Sequence, residues 1–198
     1  RTTDRTPEEL AVAGEVLLAG DTLLDVTTPV YNWLVADIRR AYALLIVSSL
    51  LIDILTFFLL GCSIFGPSIR PFLGLLMLFG LRQLVQMLSA LPAPPEMVWE
   101  FPGFGSILVT YDVANDFFFS GHTAIAVYGA MELGRLGGWK TRWAAFGLAL
   151  FLAASVILVR AHWTMDVYAG AATALLAALW AKTVAPPVDR WLARLCGK

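Results

Sequence analysis

Apolar positions along the chain gather into blocks of about twenty residues, the length an α-helix needs to cross a hydrocarbon core of ~30 Å. Five such blocks can be marked: Ala41–Gly61, Pro71–Leu91, Phe117–Leu133, Trp143–Arg160 and Trp163–Lys182. Their joints carry helix-edge signals. Arg70-Pro71 opens the second block, Leu91-Pro92 closes it, and Gly137-Gly138 breaks the chain after the third. The pattern predicts an all-α, polytopic transmembrane helix bundle with five spans.

Ahead of the first block the pattern changes. The stretch TPEELAVAGEVLLAG opens with a capping-box-like Thr-Pro-Glu-Glu and spaces its apolar residues helically. Glu15 interrupts it, and Asp21, Asp25, Pro29 and Asp37 follow. Residues 1–40 are therefore expected to hold a helix lying at the membrane interface, with a sixth, imperfect span as the alternative. Residues 41–183 make the transmembrane domain. The segment PPVDRWLARLCGK is expected to form a short amphipathic helix after a Pro-Pro break, giving a C-terminal tail over 184–198.

Composition agrees with the pattern. The 198 residues are 59% hydrophobic and only 15% charged, against about a quarter charged in a water-soluble domain. The net charge of −1 gives no reason to expect a nucleic-acid partner. Cys62 and Cys196 lie far apart and supply neither a disulfide framework nor zinc-ligand spacing. The chain does not open on Met and shows no secretory pattern at its start, as expected of a piece trimmed from a longer protein.

The distribution of charge says more than its sum. Arg135, Lys140 and Arg142 follow the third block, and Lys182, Arg190, Arg194 and Lys198 follow the fifth. The stretch from Pro92 to Asp116 has no Lys or Arg, but carries Glu96, Glu100, Asp112 and Asp116. By the positive-inside rule the basic joints face the cytoplasm and the acidic stretch the other side. Arg39 and Arg40 fall on the acidic side and oppose that orientation.

There are two histidines, each at the mouth of an apolar block: His122 in DFFFSGHT and His162 in HWTMD. Between them the chain crosses the membrane twice, so both lie at one surface. His162 and Asp166, four residues apart at a helix start, share a face. A carboxylate accepting one imidazole N–H leaves the other nitrogen basic and directed outward. His122 offers a second imidazole for proton transfer. Ser120 and Gly121 precede a helix, whose free N–H groups attract anions, and Gly121 lets a ligand come close to the main chain. These are the parts for phosphoryl transfer through a phosphohistidine. Blander readings are a structural histidine at each helix end, a helix-dipole partner in Asp166, or a cation held by His-x3-Asp and the second histidine.

SGHT, followed forty residues after its His by HWTMD, resembles the two catalytic motifs of the PAP2-type lipid phosphatase and phosphotransferase superfamily. DFFFSGHT, with Asp116 six residues before His122, is similar to the sphingomyelin-synthase-like, cholinephosphotransferase branch. HWTMD keeps that branch's His162, Thr164 and Asp166 and replaces Tyr by Trp163. LRQLVQMLSALPAP and, more weakly, DTLLDVTTP extend the resemblance over residues 21 to 182. The departures are from the phosphatases: position 63 is Ser where their Lys would precede Arg70-Pro71, Phe119 replaces a Pro, and Val156 stands where an Arg would precede the second His. The phosphate clamp is left to Arg82 or Arg160.

The resemblance implies a PAP2-like core in which His162 is the nucleophile, Asp166 orients it and His122 is the acid and base, with no metal and no cofactor. Asp116, Ser120, Gly121, Arg82, Arg160 and Trp163 are the substrate-binding candidates. It also implies a phospholipid donor and a lipid alcohol acceptor, diacylglycerol- or ceramide-like, with the site on the non-cytoplasmic face. Lipid phosphate hydrolysis is the alternative activity, and a non-catalytic lipid-binding protein is a third. Trp99, Tyr111, Phe117, Phe118, Phe119 and Trp163 cluster around the site and suit a quaternary ammonium, although aromatic belts occur at every membrane interface. Arg82 and Asp53, ionisable within spans, are expected to have functional partners, each other included. Homo-oligomerisation is left open.

Overall fold

The computed structural model describes residues 21–89, 91–112 and 118–195. The described residues form α1 (Thr22–Val35), α2 (Ile38–Phe65), α3 (Arg70–Leu88), α4 (Gly121–Leu136), α5 (Trp139–Leu158) and α6 (Thr164–Leu195), with no strand among them. The protein is an all-α integral membrane bundle.

Helix starts follow local chemistry. Asp21 caps α1 by accepting from Leu24 N at 3.3 Å, and Asp37 caps α2 through Arg39 N at 3.2 Å. Pro71, which needs no N–H partner, sits in the first turn of α3. Ser120 starts α4 by accepting from Thr123 N at 3.3 Å. The helix over TPEELAVAGEVLLAG lies outside the described residues. α1 is only 14 residues long, about 21 Å, too short to be the alternative sixth span by itself.

Among the described residues four helices are long and apolar enough to cross a membrane: Ile38–Phe65, Arg70–Leu88, Trp139–Leu158 and Thr164–Leu195. The third expected span is shorter. It begins at Gly121, not at Phe117, and its 16 residues rise about 24 Å. α4 packs against α2, α3, α5 and α6, and over half its residues are buried. A helix wrapped by its neighbours meets little lipid, so hydrocarbon thickness does not set its length. On α2, Leu45, Ile52, Leu55 and Leu59 are buried while Val47, Leu50, Ile54, Phe57 and Phe58 are exposed, the arrangement of a helix with lipid behind it.

Small residues let the helices close. Ala174, Ala177, Ala178 and Ala181 form a buried seam on α6. A Cβ on Gly170 would come within 2.6 Å of the Ser120 carbonyl oxygen, so only glycine permits this crossing of α6 over the start of α4.

The Pro-Pro break expected near the C-terminus does not occur. α6 runs through Pro186 and Pro187 to Leu195. Two residues beyond the prolines, Asp189 accepts from Ser68 Oγ at 2.7 Å and Ile69 N at 2.9 Å. That tie at the entrance of α3 holds the last turns in line and offsets the backbone hydrogen bonds that the prolines remove.

A long irregular segment over residues 91–112 closes one end of the bundle. Asp53, buried on α2, holds it: both carboxylate oxygens accept from Ser106 Oγ at 2.9 Å, and Ile107 N and Leu108 N donate at 3.0 and 3.2 Å. Asp53 is therefore a loop anchor, which corrects its expected pairing with Arg82. Tyr31 Oη donates to Glu96 O at 2.8 Å, and Val98 N to Val159 O at 2.9 Å.

Candidate active site

The site is assembled from two helix starts. At the first, the Ser120 hydroxyl oxygen accepts from Thr123 N and, at 3.1 Å, from Thr123 Oγ1. This fixes the Gly121–His122 turn, whose backbone N–H groups head α4 without intrahelical acceptors. His122 is buried, its ring edge-on to Trp99 with centroids 5.5 Å apart. Its Nε2 is buried with no hydrogen-bond partner among the described residues.

At the second start, α5 ends and the chain turns through Arg160 in the left-handed region, at φ +54°. His162 follows, buried, and α6 begins at Thr164. Asp166, fully buried, accepts from Trp163 N at 3.0 Å through Oδ2, as the third-position acid of a capping box does. The same oxygen lies 3.6 Å from His162 Nδ1. That is ion-pair distance and longer than a hydrogen bond. The helix cap thus holds the carboxylate against the imidazole. The two starts are bonded to each other, Ser120 N donating to Asp166 O at 3.1 Å.

His122, His162, Gly121, Arg82, Trp99 and Phe119 line one cavity of about 60 Å³, walled by Ile52, Leu78, Leu108, Val109 and Ile125. Arg82 comes from α3 and lies over Gly121, where a Cβ would stand 3.2 Å from its Nε. Two imidazoles, a guanidinium and the head of a helix therefore face one small space with both polar and apolar walls. That combination is chemically suited to neutralising an anion and moving protons at it.

Of the expected site residues, His122, His162, Gly121 and Arg82 share the cavity wall. Ser120 and Asp166 stand behind it as the caps that set the histidines. Arg160 and Trp163 are not in that wall. Arg160 donates to Glu96 Oε2 at 2.6 Å and Thr28 Oγ1 at 3.1 Å and stacks over Tyr31 at 4.1 Å. It ties α1, the 91–112 segment and the α5–α6 turn together. The Trp163 indole donates to Pro92 O at 2.9 Å. Asp116 lies outside the described residues. Among the described residues no three His, Cys, Asp or Glu groups cluster as metal ligands.

Asp21 is a residue of the site's frame that the sequence alone does not single out. Its carboxylate accepts from Thr164 N at 2.8 Å and Thr164 Oγ1 at 2.5 Å, so α1 is clamped to the turn that carries His162. The signal was the DTLLDVTTP resemblance, which identifies no role by itself. Trp99, noted only as one of several aromatics, proves to be the ring against His122.

A family model described as AtPDCT1/2 matches residues 21–183. Among solved structures, the crystal structure of Aquifex aeolicus LpxE is similar, with 16% identity and a TM-score of 0.46, over 68% of this chain and 85% of that one. No curated protein matches the sequence.

Proposed function

The chain belongs to the AtPDCT1/2 family, a phosphatidylcholine:diacylglycerol cholinephosphotransferase family within the PAP2-like lipid phosphatase and phosphotransferases, and on that footing we propose that it moves a phospho-alcohol headgroup from a phospholipid to a diacylglycerol-like acceptor. The observation that carries the reading is that His122, His162, Arg82 and Gly121 all line one cavity.

In the proposed first step His162 attacks the lipid phosphorus. Nδ1 faces Asp166, so Nε2 forms the new P–N bond. The bond from phosphorus to the glycerol oxygen breaks, and protonated His122 gives its proton to that oxygen. A phosphodiester anion beside His122 favours the imidazolium this step needs. Diacylglycerol leaves, and the headgroup remains as a phosphohistidine. In the second step His122, now neutral, takes the proton of the acceptor hydroxyl; its oxygen attacks phosphorus and the P–N bond breaks. Arg82 and the N–H groups heading α4 stabilise the charge that builds on the phosphoryl oxygens. Asp166 balances the charge on His162 in both steps. The route passes through no metal.

Trp99 and Phe119 in the wall support a quaternary ammonium headgroup, at ~0.5–2 kcal/mol per aromatic contact, and the family name supports diacylglycerol over ceramide as acceptor. The basic joints support a non-cytoplasmic site. Purified protein given choline-labelled phosphatidylcholine and unlabelled diacylglycerol should form labelled phosphatidylcholine of the acceptor's acyl composition. His162→Ala should stop this. Inorganic phosphate released from phosphatidic acid, with no transfer, would select hydrolysis instead, and preferred transfer to ceramide would change the acceptor.

A further inference from the structure

A second concavity, unconnected with the chemistry above, runs along the outside of the bundle between α4, α5 and α6. It encloses about 930 Å³, far more than the catalytic cavity. Its walls are apolar and cut deep by small side chains, among them Ala130, Ala149, Ala153 and Ala171. At one end it reaches Thr164, next to the catalytic turn, and at the other Lys182. On α6 those positions are separated by about 27 Å at 1.5 Å per residue, nearly the thickness of a hydrocarbon core. The groove therefore spans the membrane's apolar layer, with its Lys182 end at the surface opposite the histidines.

That far end is basic. Arg70, Arg135, Arg142 and Lys182 all line it, from the start of α3, the end of α4, the start of α5 and the body of α6. Among the described residues one carboxylate forms ion pairs with them: Glu132, fully buried, lies 3.0 Å from Arg70 Nη2 and 2.9 Å from Arg135 Nη2. Arg70 Nε is buried with no hydrogen-bond partner among the described residues. Asp189, bonded to Ser68 and Ile69, is a second acid beside Arg70; four cations against two acids, closing an apolar trough at membrane depth, call for an anion that carries a chain.

We propose that this groove is a binding site for an anionic glycerophospholipid, with an acyl chain along the alanine-lined wall and the phosphate among Arg70, Arg142 and Lys182. A zwitterionic lipid carries no net charge to match the excess. An acyl chain of the substrate would fit the trough but would give no reason for four cations at the end remote from His162. The positive-inside rule assigns the basic end to the cytoplasmic leaflet, where anionic lipids concentrate. The site stands whether or not headgroup transfer is the activity. Its occupant lies against α4, the helix whose first turn carries His122, so filling the groove braces the catalytic helix from the side.

The chain in detergent, given dioleoylphosphatidylglycerol or dioleoylphosphatidylcholine at equal mole fraction, is examined by native mass spectrometry. Wild type retains the anionic lipid preferentially. Arg142→Gln with Lys182→Gln lowers that retention by roughly thirtyfold, the scale expected for two interfacial cations. Ala153→Trp fills the trough while keeping every charge, and lowers it too. Arg82→Gln, in the catalytic cavity, leaves it unchanged. Equal retention of both lipids by wild type overturns the proposal, as does full retention by the double variant. Full retention by Ala153→Trp means the cations draw lipid from the annulus without seating it, and loss in Arg82→Gln puts the lipid in the catalytic cavity; either result overturns it. A lipid-free two-chain species whose formation Ala153→Trp blocks would give the groove to a second copy of the chain.

Discussion

Asp21 and Thr164 are joined twice, the Thr164 backbone N–H donating to Asp21 Oδ2 at 2.8 Å and its hydroxyl to Oδ1 at 2.5 Å. The same carboxylate caps α1 through Leu24 N. One side chain therefore closes two helix starts, one of them the turn that presents His162. Asp21→Ala removes a cap worth ~1 kcal/mol and leaves a part-buried N–H unpaired. The transfer rate should fall about tenfold, equivalent to ~1.4 kcal/mol of lost positioning, with KM little changed. Thr164→Val should do less harm, and the double variant should be no slower than Asp21→Ala alone. Additive losses in initial-rate measurements would mean the two residues act separately.

Gly170 tests the crossing of the two helix starts. Glycine to alanine within a helix ordinarily stabilises by roughly 0.5–1 kcal/mol, and Gly147, with nothing within 4 Å of its Cβ position, should behave that way. At Gly170 the new methyl would meet the Ser120 carbonyl oxygen at 2.6 Å and Ala124 N at 3.4 Å. Backbone cannot rotate aside as a side chain does. Gly170→Ala should therefore lower both the melting temperature in detergent and the transfer rate. A variant as stable and active as wild type would show that the start of α4 can shift without moving His122.

The contrast between these glycines explains what was legible in the sequence. Block lengths located α2, α3, α5 and α6, because a helix against lipid needs an apolar stretch at least as long as the hydrocarbon core is thick, although α2 and α6 run well beyond it. They overstated α4, whose length is set by neighbouring helices and by the Ser120 cap. His122 and His162 could be placed at one surface by counting crossings, and Asp166 by its spacing. Arg160 could not be separated from Arg82, since a sequence shows two arginines near one motif and not that Glu96 occupies one of them. Asp53 and Asp21 bond to residues far along the chain, and spacing carries no trace of such partners. Pro186-Pro187 signals a break locally, and Asp189 overrides it through a contact with Ser68.

Arg82 and Arg160 should separate by what their loss affects. Arg82 lies over Gly121 in the cavity wall. Arg82→Gln should lower kcat/KM by about 10²–10³, the usual cost of removing one donor to a developing oxyanion, with an unchanged melting temperature. Arg160 stacks on Tyr31 and pairs with Glu96, so Arg160→Gln should destabilise by about 1–2 kcal/mol and leave the rate of the folded fraction nearly intact. The reverse pattern would make Arg160 the phosphate clamp.

Asp53 gives the sharpest test of how the cavity is walled. Its two oxygens receive the Ser106 hydroxyl and the Ile107 and Leu108 N–H groups, and Leu108 and Val109 form part of the wall. All of these neighbours are donors, so the site needs two acceptor oxygens. Asp53→Asn keeps the shape but turns one oxygen into an NH₂ group facing N–H donors. Each hydrogen bond to a charged acceptor is worth ~1.5–3 kcal/mol, so Asp53→Asn should be nearly as damaging as Asp53→Ala despite its near-identical size. The loosened segment should be cut by protease between residues 103 and 109 under conditions that leave wild type whole, and transfer should fall in parallel. A fully protected and active Asp53→Asn would mean that volume rather than acceptor chemistry holds the segment, and would detach the Leu108 and Val109 wall from the carboxylate beneath it.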